Sequence, residues 1–150
     1  MTAFRFIHCS DLHIDSPFKG LASQVPSLTE RLRESTFQAF HKIVKLALEE
    51  KVDAVLIAGD IFDGADRSLQ AQLKFRRGLQ ELSQEGIPSF IVHGNHDPSN
   101  SWSHTLDWPE GTTIFPGNKV ERFPVMRGGK TLAWIYGISY PQKEVIENLA

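Results

Sequence analysis

The sequence predicts an α/β fold built on a parallel sheet, and three observations carry that expectation. Apolar, β-branched runs alternate with long stretches of helical periodicity, in the order strand, helix, strand, helix, strand. Each helical stretch is long enough to cross between parallel neighbours, and such crossovers are right-handed. Each of the three strands also ends in a polar cluster, and the carboxyl ends of parallel strands share one edge, where open α/β sheets place their ligands.

Residues Ala3 to Cys9 alternate and then turn apolar, reading as the first strand. It ends in Ser10-Asp11-Leu12-His13-Ile14-Asp15, with Pro17 and Gly20 marking a loop. Leu28, Leu32, Phe37, Phe40, Val44, Ala47 and Leu48 fall near helical spacing, so a helix is expected from about residue 28 to 50. Ser27 and Glu30 have the spacing of a capping box at its start. Ala54 to Ala58 is a continuous aliphatic run, the pattern of a strand covered on both faces, and it stops at Gly59-Asp60-Ile61-Phe62-Asp63-Gly64. Ser68 is placed to cap a second helix through Leu69, Leu73, Leu79 and Leu82, with Gly86 closing it. The third strand, residues 88–93, leads into Gly94-Asn95-His96-Asp97-Pro98.

Beyond Asp97 the texture changes. A polar loop holding Trp102 and Trp108 precedes short strand candidates at Thr112–Phe115, Lys119–Val125 and Thr131–Ile138. Pro116-Gly117 and Gly128-Gly129 punctuate them, which suggests an antiparallel or mixed sheet. From Gln142, with Val145, Ile146 and Leu149, another helix is expected to begin. Residues 1–150 read as a single domain, with no repeat and no low-complexity segment.

A composition 41% apolar and 23% charged is that of an ordinary globular domain rather than a disordered one. The net charge of -2 argues against coating nucleic acid by bulk charge, although a local basic groove is compatible with it. The lone Cys9 excludes an internal disulfide and reads as a small buried apolar side chain. The chain starts directly in a strand-like pattern and no apolar run approaches about 18 residues, so no membrane association and a cytoplasmic location are expected.

The chemistry lies in the three polar clusters. Any one of them reads equally well as a turn; all three at consecutive buried strand ends read as a site. Asp11 and His13, two apart in extended backbone, would point to the same side while Leu12 packs away. Carboxylate, imidazole and amide without sulfur form a donor set for manganese, iron or zinc, and a poor one for calcium. Asp60, on the central strand with two oxygens, is the natural bridge between two ions about 3.5–4 Å apart. His8 and His93 lie inside strand-like runs and read as structural, and His104 as a loop residue.

Asp11-x-His13, Gly59-Asp60-x-x-Asp63 and Gly94-Asn95-His96-Asp97, in that order, resemble the first three motifs of the calcineurin-like metallophosphoesterases. Within them, His8-Cys9-Ser10-Asp11-Leu12-His13 and Gly137-Ile138-Ser139-Tyr140 resemble the DNA-repair exonucleases, the nuclease subunit of the SbcCD type. The resemblance implies an α/β metallophosphoesterase-like fold of mixed sheet layers flanked by helices. It implies two divalent metal ions, manganese first, with iron or zinc also compatible. Asp11 and His13 would hold one ion, Asp60 would bridge and Asn95 would hold the other. His96 would contact the scissile phosphate and protonate the leaving oxygen after in-line attack by a metal-bound hydroxide. Asp63 and Asp97 would support these groups without binding metal, and a neighbouring carboxylate is the usual means of orienting such an imidazole.

By the same resemblance the substrate is DNA, single- or double-stranded. The partners are an ATPase subunit of the SbcC type and a second copy paired through helices beside the site. The family carries two further motifs, Gly-His and Gly-His-x-His, and nothing after Asp97 matches them. The chain is therefore expected to be the N-terminal part of a longer nuclease domain, with too few ligands for two ions and little turnover alone. Two alternatives remain at this point. A phosphatase or nucleotide phosphodiesterase would share the metal site, but the phosphatase pattern Gly-Asp-x-x-Asp-Arg-Gly departs here, since Gly64 follows Asp63 and Arg67 is displaced. A folded, non-catalytic scaffold is the other. Arg31, Arg33, Lys74, Arg76 and Arg77 read as a solvated helix face ahead of a phosphate-binding one, and Trp102 and Trp108 as anchors pinning a loop.

Overall fold

The computed structural model describes residues 3–18, 25–64, 68–99 and 107–145. Four parallel strands stand side by side in chain order: β1 (Phe6–Ser10), β2 (Ala54–Ala58), β3 (Ser89–Val92) and β4 (Thr112–Ile114). Helix α1 (Pro26–Glu50) joins β1 to β2, and α2 (Leu69–Gln84) joins β2 to β3. The pair β5 (Glu121–Arg127) and β6 (Lys130–Gly137) forms a separate antiparallel hairpin turned by Gly128 and Gly129.

The period-two alternation of the strands sorts the core into two clusters. Ile7, Cys9, Val55, Ile57 and Ile91 pack with Phe40, Val44 and Ala47 of α1 and Phe75, Leu79 and Leu82 of α2. Ala54, Leu56, Phe90 and Val92 pack with Phe115 and with Phe123, Val125 and Ile135 of the hairpin. The result is three layers, helices, parallel sheet and hairpin, with both helices on one face. That sidedness follows from right-handed crossovers that always step in the same direction. β2 is covered on both faces, which is why its sequence is uninterruptedly aliphatic; each fully buried side chain of this kind contributes about 1.5–3 kcal/mol.

Several boundaries differ from the sequence expectation. α1 starts two residues early, with Val25 as N-cap and Pro26 at the first helical position, and the cap has no side-chain hydrogen bond, so Ser27 and Glu30 form no capping box. Proline at that position lacks the N–H that would be unsatisfied anyway, and its fixed φ suits the helix. α2 begins as expected: the Ser68 hydroxyl accepts a hydrogen bond from the Ala71 amide. β4 joins the parallel sheet beside β3 rather than an antiparallel one, and the Phe115 amide donates to the Ile91 carbonyl at 2.9 Å. Residues 141–145 are not helical, and Ile146 and Leu149 lie outside the described residues, as do Gly20, Arg67, Trp102 and His104. Trp108 packs against the helix-side core, edge-on to Phe75 at 6.1 Å between ring centres. No helix among the described residues is long and apolar enough to cross a membrane.

Candidate metal centre

The register Ser10↔Ala58 and Ala58↔Val92 brings the three strand ends to one edge of the sheet. There the loop after β1 runs alongside the loop after β2. The amides of Asp11, His13 and Ile14 donate to the carbonyls of Gly59, Asp60 and Ile61 at 3.2, 3.0 and 2.8 Å. The side chain of Ile14 is buried in the core and pins the loop from below.

This arrangement corrects the extended geometry expected for Asp11 and His13. Both residues have left-handed backbone, with φ of 53° and 42°, and Asp60 shares it at 49°. Asp and His tolerate this conformation better than bulky residues, yet it still costs about 1–2 kcal/mol per residue. Alternate left-handed turns, rather than a flat strand, swing the two side chains toward Asp60. One ligand atom from each of Asp11, His13 and Asp60 then lies within 4.8 Å of the others.

Two of the three donors, His13 and Asp60, are oriented by a second contact. His13 Nδ1 lies 2.7 Å from Asp63 Oδ1, and against an ionised carboxylate that nitrogen carries the hydrogen, leaving Nε2 for a metal. One oxygen of Asp60, Oδ1, accepts the His96 amide at 3.0 Å, which leaves the other oxygen for an ion. Burial pushes the Asp63 carboxyl up, but hydrogen bonds from Ser16 and His13 and the charges of His13 and His96 outweigh it and hold the group below its ordinary 3.8. His96 is half exposed, its ring edge-on to His13 at 5.5 Å and its Nδ1 3.8 Å from Asp63 Oδ1. Asn95 sits half buried between Gly94 and His96 in the loop after β3.

Asp97, expected to support the site without binding metal, sits where the second and third strand ends meet. It is fully buried, and its carboxylate accepts the amides of Gly94, Ile61 and Asp60 at 2.9, 2.9 and 3.1 Å. Burial pushes this carboxyl above the ordinary value; the amides of Gly94, Ile61 and Phe62 pull the other way, and the charge of Asp60 adds to the push. Asp97 thus laces the second and third strand ends together, and the carboxylate facing the two imidazoles is Asp63.

Glycine is required where these loops touch. Gly59 has φ of 75°, and a β-carbon on it would lie 2.9 Å from the Gly94 Cα. Of the other candidate residues, His93 is buried with its carbonyl accepting the Tyr140 amide, while His8 is exposed on the outer face of β1. Burial pushes the Cys9 thiol up to about 11, which keeps it a neutral thiol and outside the donor set. The basic helix residues are largely engaged: Arg33 pairs with Asp15, Lys74 with Glu34, Arg77 with Glu81, and Arg76 donates to the Asp107 carbonyl. Asp15, Thr36 and Ser68, which surround Arg33, are not recognisable as site residues from sequence; the only signal is a second carboxylate in the loop after β1.

Two carboxylates and one imidazole with its far nitrogen already hydrogen-bonded fit a divalent cation of the nitrogen/oxygen-binding class. A family model described as calcineurin-like phosphoesterase matches residues 4–149. The chain belongs to the calcineurin-like phosphoesterase family. Among its relatives is the uncharacterized metallophosphoesterase YhaO of Bacillus subtilis, 38% identical over 150 residues, covering 100% of this chain and 37% of that protein. The DNA double-strand break repair protein Mre11 of Aeropyrum pernix is 32% identical over 102 residues, 68% of this chain and 23% of its own length. The D component of the SbcCD nuclease of Escherichia coli is 31% identical over 104 residues, 69% of this chain and 24% of its own. The chain therefore spans well under half the length of each of these three relatives. As a calcineurin-like phosphoesterase it belongs to a family that acts on phosphoester bonds with divalent metals, and Asp11, His13 and Asp60 are its candidate ligands.

Proposed function

We propose that the chain is the N-terminal part of a metal-dependent phosphodiesterase domain that cleaves DNA. The observation that carries the reading is the convergence of Asp11, His13 and Asp60 within 4.8 Å, with a half-exposed imidazole, His96, beside them. In this reading Asp11 and His13 would hold one divalent ion, Asp60 would be shared and Asn95 would serve the second, with manganese as the metal and iron or zinc as substitutes. Such ions supply charge stabilisation on the phosphoryl oxygens and a water acidic enough to attack phosphorus. His96 would give a proton to the departing oxygen, and the Asp63 carboxylate lies 3.8 Å from its Nδ1. Asp97 keeps the loops of Asp60 and Asn95 at fixed separation.

The names of the Mre11 and SbcCD relatives support DNA as the substrate and DNA repair as the setting. A cytoplasmic ATPase partner and pairing of two copies belong to the same reading. Four ligand residues shared between two ions leave both short of protein groups, so this chain alone is expected to turn over slowly or not at all. The test is Mn²⁺-dependent hydrolysis of bis-p-nitrophenyl phosphate against the monoester, with this chain and a C-terminally extended one. The extended chain should favour the diester and lose activity on His96→Ala. Robust turnover by the short chain, abolished by Asn95→Ala, overturns the incompleteness; a monoester preference overturns the nuclease reading.

A further inference from the structure

Asp15 is a carboxylate the proposed chemistry does not use, and it is only 4% exposed. Its Oδ1 accepts Arg33 Nε at 2.8 Å and lies 2.6 Å from Arg33 Nη2, a two-pronged contact. Its Oδ2 accepts the Ser68 hydroxyl at 2.5 Å, and Ser68 in turn caps α2 through the Ala71 amide at 3.0 Å. Its own amide donates to Thr36 Oγ1 at 3.0 Å, and that hydroxyl donates to the Arg33 carbonyl at 2.7 Å. One residue therefore ties the loop after β1 to the body of α1 and to the first turn of α2.

That loop needs such a tie. Asp11, His13 and Asp15 are all left-handed, three residues out of five. Backbone of this kind persists only where its surroundings over-determine it. The ladder to β2 ends at the Ile14 amide, so Asp15 is the next fixed point beyond the two candidate ligands. A buried ion pair is weak grounds for a stability role, because an apolar pair of similar volume often serves as well. A planar guanidinium gripping one carboxylate instead fixes direction.

We propose that Asp15 is a positioning residue, which through Arg33 and Ser68 holds Asp11 and His13 in the geometry that binds metal. The proposal rests on reading Asp11, His13 and Asp60 as a metal centre. Arg33, itself partly exposed, is the residue to change, since the carboxylate stays in place and its partner is removed. Two readouts on the full chain separate positioning from general stability. The first is amide hydrogen exchange without metal at His13 and Ile14, with Val55 to Ile57 as internal reference. The second is Co²⁺ titration followed by visible absorption.

Arg33→Ala should speed exchange at His13 and Ile14 about tenfold or more, leave the β2 amides unchanged, and weaken Co²⁺ binding about tenfold or more. Arg33→Lys, which keeps the charge and loses the fork, should shift both readouts the same way by less. If Arg33→Ala does not fold, Arg33→Lys alone decides. Exchange and Co²⁺ affinity within twofold of the parent in the folded variants overturn the proposal. If the parent chain takes up no Co²⁺, the titration is repeated on the C-terminally extended chain, where failure to bind overturns the metal reading, and the exchange readout alone decides the positioning role.

Discussion

A β-carbon on Gly94 would lie 2.1 Å from Oδ1 of Asp60 and 2.5 Å from its amide nitrogen. The two residues are in contact because the third strand end closes directly over the candidate bridging carboxylate. Gly94→Ala must therefore displace either the Asp60 side chain or the loop that carries Asn95 and His96. The expected outcome is a stability loss of about 1–3 kcal/mol in urea denaturation. Mn²⁺ affinity by titration calorimetry should fall by about tenfold or more.

Asp63 acts on the same centre through His13 Nδ1. Asp63→Asn retains an oxygen acceptor without the charge, and Asp63→Ala removes both. Mn²⁺ affinity should fall in that order, by about tenfold and then about a hundredfold. Thermal midpoints should move little by comparison, because Asp63 is partly exposed. Equal affinities in all three proteins would remove Asp63 from the account.

Asp97 should behave in the opposite way, with a large stability effect whatever the metal. Asp97→Asn turns one acceptor into a donor facing the amides of Asp60, Ile61 or Gly94. Leaving buried donors unmatched costs about 1–3 kcal/mol each, so a loss of about 3 kcal/mol is expected in metal-free denaturation. A loss below about 1 kcal/mol would show that the loops hold together without it.

At the far end of the sheet, Arg127 of the hairpin pairs with Asp53 just before β2. The Arg127 hydrogen bond, assisted by the Arg5 amide and only partly opposed by burial, holds the Asp53 carboxyl below its ordinary 3.8. The native state then binds this proton less readily than the unfolded chain. The stabilisation is present above 3.8 and is lost as pH falls through the native value. Urea midpoints measured between pH 5 and pH 3 should thus fall more steeply for the parent than for Asp53→Asn. Arg127→Ala at neutral pH should cost about 1 kcal/mol, since the guanidinium is partly exposed.

The parts of this molecule legible in sequence are those decided locally. Ala54 to Ala58 is aliphatic throughout because two cores meet on it, and Ser68 announces α2 because a hydroxyl caps its own helix. The start of α1 is written in Pro26, but the spacing of Ser27 and Glu30 imitates a different cap. The pairing of β4 is not legible because its partner is chosen at long range, by Phe115 packing on Phe90 with ring centres 6.3 Å apart. In the candidate site the residues themselves are readable and their geometry is not. Extended backbone would have sufficed for Asp11 and His13, whereas the observed left-handed turns depend on carbonyls from the loop after β2. No sequence spacing shows that Asp15, 18 residues from Arg33 and 53 from Ser68, faces both.

The lacing of Asp97 to the amides of Asp60 and Ile61 also bears on how the protein is made. The strands lie side by side in the order in which they leave the ribosome. In the finished fold the loop of Asp11 and His13 depends on carbonyls of the loop after β2, and the Asp60 loop depends on residue 97, made 37 residues later. At translation rates of about 5–20 residues per second that interval lasts about 2–7 s. Until residue 97 has been made, the contacts that set the ligand spacing in the finished fold lack their partner.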